Sequence, residues 1–241
     1  MLNTRTIIAA GALVLAGVMS TSAGAQGRGR GRPEPARTPE SRQLTPQQQQ
    51  QLIAQQRQRD AQYRQRLDQQ VSAAQARSRQ LQTARRNAQY AQQERYLEAL
   101  RSQQQRLQVQ RDYTRDPYYA TAPAYRYRLG NVYHETNQYG VDVLRQAVNN
   151  GYIQGVEAGR ADRTDRWPPN YQNSYAYYDA TYGYSGQYVD QPDYAYYFRQ
   201  GFQRGYDDGY NSRSQYGTYS NGTGSILANL LSSILGLQPL R

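Results

Sequence analysis

Cysteine is absent from this 241-residue chain, and histidine occurs once, as His134. These two absences exclude disulfides, thiolate metal centres, cysteine nucleophiles, a cysteine-linked lipid anchor and histidine-cluster metal sites. Lysine is missing as well, so all 29 basic residues are arginine. Aliphatic residues are few. The apolar share reaches 37% only because it counts 25 tyrosines, beside 2 phenylalanines, 1 tryptophan and 2 methionines. So little aliphatic surface argues against a full-length compact enzyme, because burial must offset the entropy of ordering the chain. No serine or threonine stands beside His134 in a nucleophile elbow, and no glycine loop follows a strand to cradle phosphate. The sequence therefore assigns no catalytic, cofactor-binding or metal-binding residue, and reads as a non-enzyme. Asp162, Asp165, Asp207 and Asp208 lack calcium-loop spacing and read as solvated helix ends among arginines. His134 reads as a loop or helix-start residue.

Residues 1–25 have the pattern of a secretory signal peptide. Arg5 charges the start, Ile7 to Val18 is an apolar run, and Ala23-Gly24-Ala25 is a small-residue cleavage pattern. Cleavage is expected between Ala25 and Gln26. The run falls short of the ~20 residues of a spanning helix, and no later segment reaches that length, so the mature form is expected to have no transmembrane segment. The expected location is periplasmic or secreted.

The net charge of +11 is unevenly spread. Residues 26–116 hold 18 arginines and 8 acids, whereas residues 117–241 hold 10 of each. A basic arm thus precedes a balanced half. Such an arm attracts polyanions by salt-sensitive electrostatics, which makes an anionic envelope polymer or lipid surface the expected partner. Residues 26–46 form a basic leader expected to be disordered. Within it Gly29-Arg30-Gly31-Arg32-Pro33 resembles the core of an AT-hook, but the first proline of that motif is replaced by Gly29. Nucleic acid is accordingly not the expected partner.

From Gln47 to Arg111 there is neither proline nor glycine, and glutamine, arginine, alanine and leucine dominate. Thr45, Pro46 and Gln48 form a helix start with a capping box. A continuous helix over 47–112 would be a rod of roughly 100 Å. Ile53, Leu67, Ala74, Leu81 and Ala88 fall on seven-residue multiples, a thin seam interrupted by Asp60 and Arg95. A weak coiled coil, a solitary polar helix and a disordered run all fit this pattern. Leu44-Thr45-Pro46-Gln47-Gln48 resembles the LTxxQ signature of Spy/CpxP-like periplasmic chaperones, exported all-helical proteins. That resemblance implies a helical cradle for partly unfolded clients. It covers Leu44 to Leu107 with one copy of a signature the family carries twice, and no helix breaker folds the rod into a hairpin.

An internal repeat follows. Gly151, Gly155 and Gly159 match Gly201, Gly205 and Gly209 at an offset of 50 residues, with Tyr152 and Phe202 after the first glycine and Glu157 and Asp207 two after the second. Four-residue spacing places the glycines on one helix face, and close backbone approach is the reason to bear their cost. Spacing of this kind is familiar from membrane helices, but Arg160, Asp162, Arg204, Asp207 and Asp208 argue against insertion. Apolar stripes run alongside: Leu144, Val148, Tyr152 and Val156 in one copy, Tyr194, Phe198, Phe202, Tyr206 and Tyr210 in the other. The expectation is two helices, 138–163 and 192–212, packed antiparallel along the glycines. Tyrosines between them, from Tyr171 to Tyr188, either cap this pair or serve as stickers for glycans, peptides or self-association. Paired GxxxGxxxG helices in tyrosine-rich surroundings resemble uncharacterised exported bacterial proteins, a resemblance that implies no activity.

The expected organisation is completed by a Tyr/Pro linker at 113–130, a glycine-helix module at 131–212, a flexible linker at 213–224 and an amphipathic tail helix at 225–241. Ile226, Leu227, Leu230, Leu231, Ile234, Leu235 and Leu237 line one face of the tail. It reads first as a third helix docked on the glycine pair, otherwise as an oligomerisation or membrane-surface element. The fold class is mainly α with much disorder. The functional expectation is an exported, non-enzymatic interaction or scaffold protein that self-associates or contacts anionic surfaces. The alternative is a periplasmic chaperone or stress adaptor.

Overall fold

Three glycines on one helical stripe cost about 3 kcal/mol of intrinsic helix stability against alanine, and the contact between the two glycine helices shows what offsets it. A computed structural model describes residues 43–107, 109 and 111–240. The signal segment, the Ala25/Gln26 cleavage point and most of the leader lie outside these residues. The described chain is mainly α-helical.

The centre is a pair of helices, α4 (Gln138–Thr164) and α6 (Gln191–Asn211). Asn137 caps α4 by accepting from the Tyr139 and Gly140 amides. Pro192 sits in the first turn of α6, where its missing N–H is not needed. The pair runs parallel, which corrects the antiparallel expectation. Gly151 lies against Phe198, Gly155 against Phe202 and Gly159 against Tyr206, so both helices ascend together. The reverse set mirrors it: Gly201 lies against Val148, Gly205 against Tyr152 and Gly209 against Val156. The 50-residue repeat is thus a local two-fold arrangement about an axis along the seam. Val148, Tyr152, Phe198 and Phe202 are fully buried beside it.

The expected long rod is two helices. α1 (Pro46–Thr83) and α2 (Asn87–Leu107) form an antiparallel hairpin, with Gln104 donating to Asp68 across it. Thr45 and Gln48 make the capping box at its start. Neither glycine nor proline makes the turn. Arg85 takes the left-handed conformation (φ 55) usually given to glycine, and the Arg86 amide closes back onto the Leu81 carbonyl at 3.0 Å. The seam residues Ile53, Leu67, Ala74 and Leu81 are buried. Tyr63, Leu67, Tyr96, Leu97 and Leu100 join the core built on α4 and α6.

Both expected linkers carry regular structure. Residues 113–130 contain α3 (Pro117–Ala120) and β1 (Tyr125–Leu129); β1 pairs with β2 (Val132–Thr136), which places His134 opposite Tyr127 on a strand. Between α4 and α6 lies a short helix, α5 (Tyr175–Asp179). Segment 213–224 enters a second hairpin, β3 (Gly217–Ser220) with β4 (Thr223–Ile226). Its turn is Asn221-Gly222, both at positive φ, as a two-residue hairpin requires. The tail helix shortens to α7 (Ala228–Leu235), which packs on α4 and α6 with Leu235 buried. β5 (Gln238–Pro239) then returns to β1, giving the sheet order β2-β1-β5.

Candidate functional site: a glycine seam, buried carboxylates and an arginine face

The glycine residues singled out by the repeat all lie in one seam. A Cβ at Gly155 would stand 2.7 Å from the Tyr206 nitrogen, one at Gly159 2.7 Å from the Tyr210 nitrogen, and one at Gly151 3.0 Å from the Phe202 nitrogen. From the other side, a Cβ at Gly201 would stand 2.9 Å from the Tyr152 nitrogen. At Gly205 it would lie 2.9 Å from the Tyr152 Cα, and at Gly209 2.8 Å from the Val156 Cα. In each case a carbonyl oxygen of the facing helix is nearer still. The seam is backbone against backbone, a structural device with no room for a ligand.

Around it the tyrosines bring carboxylates inside. Tyr96 donates to Asp179 at 2.5 Å, Tyr127 to Asp193 at 2.5 Å, Tyr206 to Asp162 at 2.6 Å and Tyr152 to Asp208 at 2.9 Å. Tyr113 donates to Asp60. All five carboxylates are buried. This corrects the reading of Asp162 and Asp208 as solvated helix ends. Burial pushes the Asp162, Asp179 and Asp193 carboxyls above the ordinary carboxylate value, although their tyrosine partners pull the other way. Burial likewise raises the tyrosines, with Tyr113 pushed up to about 12. The sole histidine touches this network: His134 Nδ1 lies 2.9 Å from Asp193 Oδ2.

Asp162 and Asp165, at the end of α4, hold the hairpin turn. Arg86 pairs with Asp162 and lies over the Trp167 ring, 4.5 Å from its centroid. Asp165 accepts from the Ala88 and Gln89 amides, both at 2.9 Å, and so caps α2 from 76 residues away along the chain. Sequence reasoning missed this role, because a cap supplied by a distant segment leaves no local pattern.

The hairpin's inner side is lined by glutamine as well as apolar groups. Gln103 bridges Tyr63 and Thr181 at 2.9 Å each and accepts from the Gly183 amide at 3.0 Å. Its arginines mostly point away. Over 46–107 there are eleven arginines against four acids. Arg86 is buried, Arg59 pairs with Asp190 at 2.6 Å, and Arg77 donates to the Asn173 carbonyl at 3.0 Å. Arg57, Arg64, Arg79, Arg85, Arg101 and Arg106 are exposed. Arg57, Arg64 and Arg79 follow one flank of α1 over about 33 Å of helix.

No group of acids and histidine among the described residues converges as a metal site. No described helix is long and apolar enough to cross a membrane. The chain was compared with protein-family models, with curated proteins and with solved structures, and it matches none of them.

Proposed function

We propose that this chain is an exported, non-enzymatic interaction protein of the bacterial envelope, held to an anionic polymer or lipid surface by its arginine-faced hairpin. The observation that carries the reading is the row Arg57, Arg64 and Arg79 on the solvent side of α1. The same helix buries its apolar and glutamine side chains against the tyrosine-rich body. A rigid row of cations on a folded support lowers the ordering cost of meeting a polyanion, and arginine suits phosphate, sulfate and carboxylate groups. The test is binding of the mature chain to heparin and to anionic liposomes. Binding is expected to be released near 0.5 M salt, where a Debye length of roughly 4 Å screens exposed charge. Joint replacement of Arg57, Arg64 and Arg79 by glutamine is expected to weaken it and flatten its salt dependence. Salt-independent binding would remove the electrostatic account.

A chaperone of the Spy/CpxP kind is the second reading, favoured by the helical hairpin itself. Its inner face is filled by the chain's own Tyr96, Leu97 and Leu100, so a client would need another surface. Suppression of client aggregation at near-equal ratio, in high salt, would favour this reading over the first.

A further inference from the structure

The repeat makes two equivalent helices, but their outer faces are treated differently. On α4, Gln154 accepts from Gln92 at 3.2 Å, Glu157 accepts from Tyr219 at 3.0 Å, and Arg160 lies 4.5 Å from the Tyr219 ring centroid. That face is covered by α2 and β3. Fifty residues on, the matching positions are Arg204, Asp207 and Tyr210. They line an open cleft of about 570 Å³, walled by Tyr171 and Tyr216. The volume falls within the ~300–1,000 Å³ of small-molecule sites.

The cleft's polar groups are held in place before any ligand arrives. Arg204 Nη1 donates to the Gln200 carbonyl at 2.7 Å and to the Gln200 side-chain oxygen at 3.4 Å, which leaves Nε and Nη2 for other use. Asp207 accepts from Asn211 at 2.7 Å and pairs with Arg213. Tyr210 is fixed by donating to the Trp167 carbonyl at 3.0 Å and by stacking on Tyr206. The Tyr171 and Tyr216 hydroxyls make no hydrogen bond among the described residues, whereas the hydroxyls of the tyrosines packed inside the module are mostly engaged. The cleft therefore presents tyrosine rings, the Arg204 guanidinium, the Asp207 carboxylate in its pair with Arg213, and side-chain amides together.

That set discriminates between ligand classes. A docking helix needs a continuous apolar stripe, which Gln200, Arg204 and Asp207 interrupt. A phosphate or sulfate would meet Asp207. A sugar ring has an apolar face for tyrosine and hydroxyls that both donate and accept, which suits arginine, carboxylate and amide side by side. We infer that this cleft on the outer face of α6 binds a neutral oligosaccharide. The site is separate from the arginine row and does not rest on that row's proposed role.

The test is calorimetric titration of the mature chain with cellohexaose and with chitohexaose, one hexamer bare and one N-acetylated. At least one is expected to bind saturably. Arg204→Ala and Asn211→Ala, both at the helix surface, are each expected to weaken binding about tenfold, or ~1.4 kcal/mol, with the thermal melt retained. The variant with Arg57, Arg64 and Arg79 replaced by glutamine is expected to bind the sugar as the wild type does, even though its heparin binding falls. The assignment is overturned if neither hexamer binds at ~5 mM, a concentration that would detect even ~4 kcal/mol of affinity. It is equally overturned if Arg204→Ala binds unchanged, or if loss of the arginine row abolishes sugar binding.

Discussion

Alanine at Gly155 and Gly205, singly and together, is the sharpest probe of the seam. At 155 the added methyl would stand 2.7 Å from the Tyr206 nitrogen; at 205 it would stand 2.9 Å from the Tyr152 Cα. Neither obstacle is a side chain that can swing away, so the helices must separate. Overpacking of this kind costs about 1–3 kcal/mol. Alanine returns about 1 kcal/mol of helix propensity, leaving a net loss of up to about 2 kcal/mol at each site. In a protein of this size that lowers the melting temperature by about 2–4 °C per kcal/mol. The double variant adds a second criterion. Both methyls push the same two turns apart, so the second enters a gap the first has opened. The pair should then cost less than the sum, with a coupling of about 0.5–3 kcal/mol. Gly151 and Gly209 lie near opposite ends of the seam, about 12 Å apart along it, and their alanine variants should be closer to additive. The assay is thermal and urea unfolding of the full mature chain, followed by circular dichroism. A single alanine variant at 155 or 205 stabler than the wild type by the full ~1 kcal/mol of helix propensity would refute the packing argument. So would strict additivity of that pair.

Three other perturbations follow from the buried polar groups. Burial raises the Asp162, Asp179 and Asp193 carboxyls above their ordinary 3.8. Their contribution is therefore complete below that value and is lost as pH climbs through each folded value. The melting temperature should fall as pH climbs above about 4, and a steady rise there would count against the buried assignment. Tyrosines behave alike at the alkaline end: Tyr113 and Tyr219 are pushed up to about 12 by burial. Stability is thus kept below the ordinary 10.0 and lost above it, and the full phenolate absorbance of all 25 tyrosines should be reached only together with loss of helix. Complete titration of every tyrosine near pH 10 with the helices intact would contradict the buried hydroxyls. Asp165→Ala removes the cap on α2 and should cost about 0.5–2 kcal/mol; an unchanged urea midpoint would show that the cap carries no weight.

What could be read from the residues was what repeats. The glycine spacing, the apolar stripes and Pro192 were enough to place α4 and α6 within a residue or so of their observed bounds. Helix direction was not legible, because a glycine stripe is compatible with a partner running either way. The hairpin turn was invisible for another reason. Arg85 occupies a conformation that arginine pays to adopt, and the compensation comes from Asp162 and Asp165, far along the chain. The β3–β4 hairpin did carry a local signal. Asn221-Gly222 is the strongest short hairpin dipeptide, but flanking residues as polar as Thr218, Ser220, Thr223 and Ser225 obscured the strands. Of the candidate site, the glycines were legible and the buried carboxylates were not. An aspartate inside a protein looks like a surface aspartate until its tyrosine partner is located.

The parallel course of α4 and α6 explains why so much tyrosine is needed between them. Two helices joined by a few residues must run antiparallel. Here 26 residues separate Thr164 from Gln191, enough to travel back along α4, about 40 Å long, and start α6 at the same end. A return segment of that length has to be packed, and this sequence has little aliphatic material for the purpose. Tyrosine does the packing with its ring and leaves a hydroxyl that must be satisfied once buried. The return segment supplies many of the partners. Tyr194 donates to the Tyr182 carbonyl at 2.7 Å, Tyr206 accepts from the Asn170 amide at 2.9 Å, and Tyr210 donates to the Trp167 carbonyl at 3.0 Å. Thus α6 is tied along its length to the strand of chain that makes its direction possible. The aspartates of α6 then satisfy hydroxyls that the loop does not, Tyr152 through Asp208 and Tyr127 through Asp193. Glycine seam, long loop and buried carboxylates are in this sense one solution: close backbone contact saves side-chain volume, and tyrosine fills the rest, most of its buried hydroxyls finding a partner and Tyr119 standing as an exception.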